Sequence, residues 1–487
     1  MIRLEEFGYE IALTIIYLSN FLAILNLLFK KRRNTETTVA WILVLIIAPV
    51  IGFILYIAFG RGIVKDNMFK IKEVEDKILK EGIFQTKSGF DYNLKENPIL
   101  LEYKDMIYSL ANSNNAVLTT NNDVCIYPDS SEFFNDLLKE LDNSKEYIHI
   151  LFYIFKDDEL GTKIIDKLIE KSKEGVEVRF LYDAVGSRSL KSKTIHKLKE
   201  NNIKVDAFFP SFMKILNVNV NYRNHRKIVV IDGKTGFLGG NNVGDEYIGK
   251  NPRFGYWRDT HLKLVGECVR DLNIRFLLDW RYTNKEDLDL KKYFNKPKIF
   301  TNTQTGIQIV SSGPESTELD EIKFGYIKMI QKAKKYIYIQ SPYFILDKTL
   351  TETLKIACFS GVDVRIMIPE KPDHPFVYWA SSSYAGELLK YGAKLYNYDY
   401  NAFLHAKTIV VDDKVCSIGT ANMDIRSFEL NFEINAFIYS EDIAKKQRII
   451  FEQDVEKSKE ITLDVYNSRT RKVKIKESIS RLLSPIL

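Results

Sequence analysis

Short apolar runs alternate with amphipathic segments along most of the chain after residue 100. Such runs predict buried strands, and apolar residues spaced three and four apart predict helices between them. The six strands that this pattern predicts are 147–154, 176–182, 227–232, 336–341, 362–368 and 407–412. Strands that alternate with helices are typical of a layered α/β fold.

Two apolar segments without charged residues precede this region, at 11–29 and 37–60. A bilayer core is crossed by about 20 apolar residues, so we expect two transmembrane helices, near 9–29 and 38–60. Pro49 and Gly52 predict a kink in the second helix, which a membrane helix tolerates. A signal peptide is the alternative for the first segment. Its positive cluster follows the apolar segment, however, and no small-residue cleavage site precedes the second segment.

Basic residues around these segments leave their orientation open. The four basic residues at 30–33 favour a cytoplasmic loop between the two helices, with both ends outside. Arg61, Lys65, Lys70 and Lys72 follow the second helix and favour the opposite orientation. The side of the membrane that the rest of the chain occupies is therefore undecided.

One pattern of polar residues occurs twice, each time at a predicted strand. It reads histidine, any residue, lysine, four residues, aspartate. The two copies are His225, Lys227 and Asp232 in the first half, and His405, Lys407 and Asp412 in the second. Asn242 and Asn422 then follow at the same offset from the aspartates.

The repeat extends beyond this pattern. Residues 145–155, "KEYIHILFYIF", correspond to 334–344, "KKYIYIQSPYF". A repeat of roughly 180 residues is far longer than a solenoid unit and indicates two homologous domains. The predicted organisation is a membrane anchor, a linker, a first domain containing motif 219–246, and a second domain containing motif 399–426. The bounds are 1–62, 63–100, 101–295 and 296–487.

Composition narrows the chemistry. The net charge of +6 over 487 residues suggests an anionic partner only weakly. The four cysteines lack the close spacing of a disulfide framework or a zinc site. Six scattered histidines and the absence of a carboxylate cluster predict no metal, and we expect no cofactor.

The paired motifs, each trailed by glycine and asparagine, resemble those of the phospholipase D superfamily. Within it, the chain is similar to the bacterial cardiolipin synthases. That similarity rests on "GYWRDTHLKLVG" (255–266), "PDHPFVYWASSSYAGELLKYGAKLYNY" (372–398) and "IGTANMDIRSFELNFEINAFIY" (418–439). It implies two phospholipase D-like α/β domains behind two transmembrane helices.

The resemblance also implies a reaction. A phosphatidyl group moves from one phosphatidylglycerol to the terminal hydroxyl of another, giving cardiolipin and glycerol without a nucleotide. Anionic phospholipids are then the partners, and nucleic acid is not. A phospholipase D or a phosphatidylserine synthase of the same superfamily is the alternative, and a nuclease or a non-catalytic scaffold is less consistent with these features. The oligomeric state is open.

In such a reaction one imidazole attacks phosphorus, and the other protonates the leaving alkoxide. By resemblance His225 is the expected nucleophile and His405 the acid and base. Arg223 and Arg226 flank His225, and nearby cations would lower its pKa if they point into the site. Lys227 and Lys407 would hold the phosphoryl oxygens.

The remaining polar residues of the motifs have supporting roles. Asn242 and Asn422 would donate hydrogen bonds to substrate, and the motif aspartates would fix geometry. Each imidazole needs an acceptor on its other nitrogen. The candidates are Asp259 and Glu433, each on the predicted strand after its own motif. The alternative is a surface acid on an edge strand.

Three further features are open. Leu151 stands where cardiolipin synthases often carry glutamate, and nearby His149 reads as a core residue first. Residues 208–216, with Phe376, Tyr378 and Trp379, either line an acyl-facing mouth or pack in the core. The basic C-terminal segment has apolar residues on one helical face and either lies on a membrane or docks on the catalytic core. These residues are Ile475, Ile479, Leu482, Leu483 and Ile486.

Overall fold

The structure is a computed structural model that describes residues 2–29, 35–59, 97–210, 222–286, 288, 291–294, 301, 303–314 and 320–484. Several predicted features lie outside these residues. They are the basic loop 30–33, the basic residues Arg61, Lys65, Lys70 and Lys72, most of the linker 63–100, positions 211–216 of the aromatic segment, the boundary at 295–296, and Ile486.

Three helices form the N-terminal part: α1 (Ile2–Phe29), α2 (Thr35–Ile47) and α3 (Pro49–Phe59). The predicted kink is present, because the second apolar segment is divided at Ala48, just before Pro49. Asn20 of α1 donates its side-chain amide to the Pro49 carbonyl over 2.9 Å. Over the described residues, none of the helices combines the length and apolar character that crossing a bilayer requires.

The first half is built on one mixed sheet, in the order β1-β8-β7-β6-β2-β3-β4. β2 runs parallel to β3 and antiparallel to β6. The strands are β1 (Asn122–Asp129), β2 (Tyr147–Phe152), β3 (Glu177–Asp183), β4 (Lys204–Phe208), β5 (Arg223–Asn224), β6 (Ile228–Ile231), β7 (Thr235–Gly239) and β8 (Tyr256–Gly266). The helices are α4 (Pro98–Glu102), α5 (Lys104–Asn114), α6 (Ser130–Asp142), α7 (Glu159–Lys173), α8 (Ser192–Glu200), α9 (Cys268–Asn284) and α10 (Lys291–Phe294), with a 3₁₀ turn at Asp245–Ile248.

The second half repeats this plan, in the order β19-β13-β12-β10-β15-β16-β18. β10 runs parallel to β12 and antiparallel to β15, as β2 does to β3 and β6. The strands are β9 (Gly306–Ser312), β10 (Tyr336–Gln340), β11 (Phe344–Ile345), β12 (Asp363–Pro369), β13 (Lys394–Tyr398), β14 (Ala402–Leu404), β15 (Thr408–Val411), β16 (Val415–Gly419), β17 (Met423–Asp424), β18 (Asn431–Tyr439) and β19 (Lys459–Ile461). The helices are α11 (Glu321–Lys332), α12 (Lys348–Phe359), α13 (Pro375–Leu388), α14 (Ile425–Glu429), α15 (Glu441–Glu456), α16 (Leu463–Asn467) and α17 (Arg471–Leu482), with a 3₁₀ turn at Leu389–Tyr391.

The predicted α/β fold with two homologous halves is confirmed. All six predicted strands are present, and their bounds agree with the prediction to within two residues. The runs of β-branched residues are fully buried, as in β6 and β15, because helices cover the sheets. Local signals also set the helix starts, since Asp129 and Asp347 accept hydrogen bonds from backbone amides in the first turns of α6 and α12.

The two halves exchange short strands at their junction. β5, from the first half, pairs in parallel with the start of β18 in the second half, with Asn224 opposite Phe432. β14, from the second half, pairs in parallel with the start of β8, with Leu404 opposite Arg258. We call these two pairings the crossings. Each crossing ends at a motif histidine, so the junction positions the candidate site.

Candidate active site

The two motif histidines follow directly on the two crossings. The His225 amide donates to the Phe432 carbonyl over 2.9 Å, and the His405 amide donates to the Arg258 carbonyl over 2.7 Å. Each histidine is therefore bound through its backbone to the other half of the molecule. Their side chains are 11% and 10% exposed, so only a small edge of each imidazole is accessible.

Each imidazole is bound by a carboxylate from the opposite half. His225 Nδ1 lies 3.0 Å from Oε2 of Glu433, and His405 Nδ1 lies 2.6 Å from Oδ2 of Asp259. A carboxylate only accepts hydrogen bonds, so each Nδ1 donates, and the lone pair of a neutral imidazole lies on Nε2. This is the tautomer that a nucleophile or a base requires.

The pairing differs from the arrangement that chain order suggests, in which each acid serves the histidine of its own half. Asp259 follows the first motif but binds His405, and Glu433 follows the second motif but binds His225. The reason is the parallel pairing at the crossings, which places the residue after each short strand beside the residue after its partner position. Neither acid is a surface residue, because both are fully buried.

Both motif lysines are buried and fold back onto their own histidines. Lys227 Nζ donates to the His225 carbonyl over 2.7 Å. Lys407 Nζ donates to the His405 carbonyl and lies 2.8 Å from His405 Nδ1, whose proton is directed to Asp259. Burial lowers the pKa of Lys227 to about 7 and that of Lys407 to about 8. The site thus contains two cations that desolvation destabilises and that an anion would stabilise.

Both imidazoles are neutral near pH 7. Burial lowers the pKa of His225 to about 4; Glu433 acts to raise this pKa, and Lys227 lowers it further. Burial and Lys407 lower the pKa of His405, also to about 4, against the effect of Asp259. For each acid, burial acts to raise the pKa, but the histidine and lysine beside it outweigh burial, so both acids are ionised.

The flanking arginines do not create the expected difference between the two histidines. Arg226 is fully buried, and its guanidinium donates to Asp279 of α9 over 2.7 Å and to the Glu433 carbonyl over 3.1 Å. It is thus directed into the junction rather than toward a substrate. Because the pKa of each histidine falls to about 4, the pKa values do not distinguish the nucleophile from the acid.

The motif aspartates lie away from the imidazoles, at the start of a neighbouring strand. The Asp232 carboxylate accepts from the amides of Lys145, Glu146 and Tyr147, over 2.7–2.9 Å. The Asp412 carboxylate accepts in the same way from the amides of residues 334–336. Both have positive φ angles, of 53° and 54°, in a tight turn. These contacts fix the motif strand against β2 or β10.

The two asparagines differ in their contacts. Asn242 accepts from the Ile154 amide over 3.1 Å, so its oxygen is used within the protein. The side-chain oxygen of Asn422 is buried without a hydrogen-bond partner in the described structure. Both observations concern the side-chain oxygen, which only accepts; donation to a phosphoryl oxygen would come from the side-chain nitrogen, so donation by either asparagine stays a prediction.

Sequence reasoning missed several residues around the site. Tyr153 packs its ring 4.8 Å from the His225 ring, with Lys227 Nζ 5.3 Å from the ring centre. Tyr343 donates its hydroxyl to Asp373, and both line a narrow cleft. Thr420 donates its hydroxyl to Glu433 over 2.6 Å. These residues stand in segments used for the resemblance or the repeat, but nothing in their spacing marks them as site residues.

The remaining predicted positions divide between cleft and core. Tyr378 lines the same cleft as Tyr343, and Phe376 is 53% exposed. Trp379 lies beneath Lys476, whose Nζ is 4.9 Å from its ring centre. Leu151 and His149 are fully buried. His149 stacks on Phe276 and bonds Asn273 over 2.7 Å, as a core residue does.

A metal ion would need several acidic, histidine or cysteine side chains grouped together within the part of the chain that the structure describes. There, no group of three or more histidine, cysteine, aspartate or glutamate side chains could hold a metal ion. The charges beside the imidazoles are instead those of the two lysines and the two acids.

Comparison with known families agrees with this geometry. Residues 137–252 and 326–455 match the family model described as cardiolipin synthase, PLD-like domain, and each segment contains one motif. Residues 18–61 match the phospholipase D–nuclease N-terminal family. The chain belongs to the cardiolipin synthase family of the phospholipase D superfamily.

Individual relatives cover almost the whole chain. The chain is 48% identical to the major cardiolipin synthase ClsA of Bacillus subtilis over 98% of this chain and 99% of that protein. It is also 48% identical to a cardiolipin synthase of Staphylococcus aureus, over 97% and 95%. The fold is similar to that of the phosphatidylserine synthase of Haemophilus influenzae, with a TM-score of 0.59 at 16% identity, covering 79% of this chain and 100% of that one.

Proposed function

We propose that this chain is a cardiolipin synthase. It transfers a phosphatidyl group from one phosphatidylglycerol to the terminal hydroxyl of a second, and the products are cardiolipin and glycerol. The near full-length identity to cardiolipin synthases supports the activity. The observation that carries the mechanism is the pair of neutral imidazoles, each with Nδ1 bound to a carboxylate and Nε2 available.

In the first step His225 Nε2 attacks phosphorus, and the bond from phosphorus to the glycerol oxygen breaks. The departing oxygen takes a proton from His405. Burial holds His405 neutral before substrate binds. The anionic phosphodiester raises the pKa of the imidazole, so His405 takes up this proton from solvent when substrate binds. The product of the step is glycerol and a phosphatidyl group on His225.

In the second step His405 removes the proton from the hydroxyl of the second phosphatidylglycerol. The resulting oxygen attacks phosphorus, the bond from phosphorus to His225 breaks, and cardiolipin leaves. A phosphodiester is broken and a phosphodiester is formed, so the transfer is reversible. Two steps through a covalent intermediate replace one more difficult displacement.

The other site residues stabilise charge and orient the reacting groups. Lys227 and Lys407 bind the phosphoryl oxygens, and Asn242 and Asn422 donate to them through their side-chain nitrogens. Such preorganised groups each lower the barrier by roughly 2.7–4 kcal/mol. Asp259 and Glu433 orient the imidazoles, Asp232 and Asp412 hold the motif strands, and Asn242 fixes the loop beside Ile154. The reaction requires no metal and no cofactor.

The same proposal places the chain in the membrane. The uncharged segments 11–29 and 37–60 support two membrane-spanning segments, near 9–29 and 38–60, within an anchor of residues 1–62. The linker 63–100 and the domains 101–295 and 296–487 follow. The substrate is phosphatidylglycerol in an anionic bilayer, and nucleic acid is not a partner.

Incubating the purified full-length protein with phosphatidylglycerol alone tests the activity. We expect equal amounts of cardiolipin and glycerol, identified by mass spectrometry. A matched protein with both motif histidines replaced by alanine should give neither product. Phosphatidic acid as the main product would mean that water is the acceptor, and a requirement for added serine would indicate a phosphatidylserine synthase. Either result would contradict the proposal.

A further inference from the structure

The last described helix, α17, has its polar and apolar faces reversed relative to a helix that packs on a protein core. The side chains turned toward the protein include Glu477, 4% exposed, and Ser480, 1% exposed. Ile475, Ile479 and Leu482 are 58%, 49% and 81% exposed. They stand four and three residues apart, so they form one stripe on the outer face.

This orientation is fixed by contacts with α13, the helix that lines the cleft. Lys476 lies over the ring of Trp379, and Arg481 bonds Glu387 over 2.8 Å. Glu477 pairs with Arg469, over 2.9 Å, instead of facing solvent. The helix is therefore docked on the catalytic core, and the docking itself turns its apolar stripe outward.

The charge around the stripe indicates what covers it. Residues 471–482 contain five basic residues and one acidic residue, and Arg471, Lys472 and Lys474 are exposed beside the apolar side chains. Single exposed apolar residues are ordinary on protein surfaces. A continuous apolar stripe flanked by lysine and arginine matches an anionic lipid surface, which takes apolar side chains and attracts cations.

The location of the stripe adds a second argument. Lys476 contacts Trp379 and Arg481 contacts Glu387, so α17 and α13 run in the same direction and their first turns lie at the same end. Phe376, 53% exposed, is in the first turn of α13, just after the cleft residue Asp373. A bilayer that covers the stripe would thus lie close to the cleft.

We propose that α17 is an interfacial helix, whose outer face of Ile475, Ile479 and Leu482, together with Phe376, inserts into the anionic leaflet beside the cleft. The two alternatives for the C-terminal segment are then combined, since the helix docks on the core and lies on the membrane. The inference rests on the proposed function only in taking the substrate to be a membrane lipid. It adds a second contact with the bilayer, more than 400 residues from the proposed N-terminal anchor.

Lipid contact can be measured without turnover. In full-length protein with Cys125 and Cys358 changed to serine, Ile479→Cys provides a labelling site, because Cys268 and Cys416 are buried. A fluorophore there is read in phosphatidylglycerol vesicles that contain nitroxide-labelled lipid. The matched control is Ile356→Cys on α12, at a residue 64% exposed. We expect quenching at position 479 to exceed quenching at 356 several-fold.

A kinetic experiment complements this measurement. Ile475→Asp combined with Ile479→Asp should raise the surface concentration of phosphatidylglycerol at half-maximal rate about tenfold and leave kcat within twofold, because the exposed stripe does not touch the reacting atoms. Ile356→Asp should change neither quantity.

Three outcomes would overturn the inference. They are equal quenching at positions 479 and 356, an unchanged half-saturation point in the double variant, and cross-linking of position 479 between two copies of the chain without lipid quenching. Quenching in a protein that makes no cardiolipin would uphold the interfacial helix and contradict the proposed function, so the two can fail separately.

Discussion

The two crossings follow one plan but differ in which strand supplies a buried arginine. At the first crossing Arg226 belongs to the motif segment, lies 5.2 Å from the ring of Phe432, and bonds Asp279. At the second, Arg258 belongs to the long strand and bonds Asp454 over 2.8 Å. The two aspartates lie on α9 and α15, which occupy equivalent places after β8 and β18. The two arginines thus come from different segments of the crossings, but each half has a buried arginine bound to a helical aspartate beside its crossing.

The acids that orient the histidines are held in different ways. Glu433 accepts from the Thr420 hydroxyl, over 2.6 Å, and from Asn431 over 3.2 Å. Asp259 accepts instead from the backbone amide of Thr260 over 2.7 Å. The position equivalent to Thr420 is Gly240, where a Cβ atom would lie only 2.0 Å from Asp259 Oδ1. The longer acid is therefore held partly by a hydroxyl, and the shorter acid has the space that it occupies because residue 240 is a glycine.

Replacing each histidine tests whether the crossings act as one unit, and we expect the largest effects here. His225→Ala and His405→Ala should each reduce turnover by about a thousandfold or more. The two residues act as one unit, so the loss of either costs about as much as the loss of both. Retention of more than about a tenth of the wild-type rate, only ~1.4 kcal/mol of barrier, would contradict the paired mechanism.

Trapping the covalent intermediate shows which of the two histidines is the nucleophile. Radiolabelled phosphatidylglycerol should leave label on His225 in a quenched reaction, most readily in His405→Asn, in which the second step is slowed. Label on His405 alone would reverse the two roles. The absence of covalent label under every condition would argue against a phosphohistidine.

The orienting acids test the crossed pairing, with effects about tenfold smaller. Glu433→Gln should slow formation of the labelled intermediate by about a hundredfold, because it replaces the carboxylate that only accepts from Nδ1 with an amide that can donate to Nδ1 and favour the wrong tautomer. Asp259→Asn should instead slow both formation and breakdown of the intermediate, since it acts on His405, which is the acid of the first step and the base of the second. Rapid-quench measurement of the two steps checks this, and the opposite assignment of steps would mean that each acid serves its own half.

The sequence alone could not predict that each orienting acid binds the histidine of the other half. The strands and the repeat are local patterns, so apolar runs and motif spacing predicted them to within two residues. The bond between His225 and Glu433 joins residues 208 positions apart, and depends on which strand β5 pairs with. Both acids were identified, because each follows its motif on a predicted strand, but a repeated sequence does not show that the halves exchange short strands.

The arginine beside His225 shows a second limit. Its position next to the motif suggested an effect on the histidine, but the side chain is directed to Asp279 on α9, a residue that no sequence pattern connected to the site. Side-chain direction at a strand end depends on tertiary packing. The cleft residues Tyr343 and Asp373 were missed for the same reason, since their pairing joins two loops 30 residues apart.

The pKa values of the two motif lysines differ, so the pH dependence of the rate can distinguish the contributions of the two crossings. The pKa is about 7 for Lys227 and about 8 for Lys407, and an amine loses its charge as pH rises through its pKa. We therefore expect kcat/KM to fall above pH 7, first through Lys227 and then through Lys407. A bound anionic phosphodiester raises both pKa values, so kcat should fall at a higher pH than kcat/KM.

Arginine substitutions identify each limb of this profile. Lys227→Arg keeps its charge throughout this range and should remove the lower limb, while Lys407→Arg should remove the upper one. A profile that stays flat to pH 9 in the wild-type protein would show that the lysine charges are not what binds the phosphoryl group.

The smallest expected effect concerns the hydroxyl that only the second half provides. Thr420→Val keeps the side-chain shape but removes the donor to the ionised Glu433, and a hydrogen bond to a charged group contributes about 1.5–3 kcal/mol to stability. Because Glu433 also accepts from Asn431 and His225, it stays bound, and turnover should fall only about fivefold. Thr420→Ser retains the hydroxyl and is the matched control, with a rate within twofold of wild type. Gly240→Ala supplies the converse test, since its methyl group would displace Asp259 from His405 and should cost more than Thr420→Val does. Equal rates for Thr420→Val and Thr420→Ser would show that the glutamate is held as firmly without the hydroxyl, and that the two crossings differ in composition but not in how they orient their histidines.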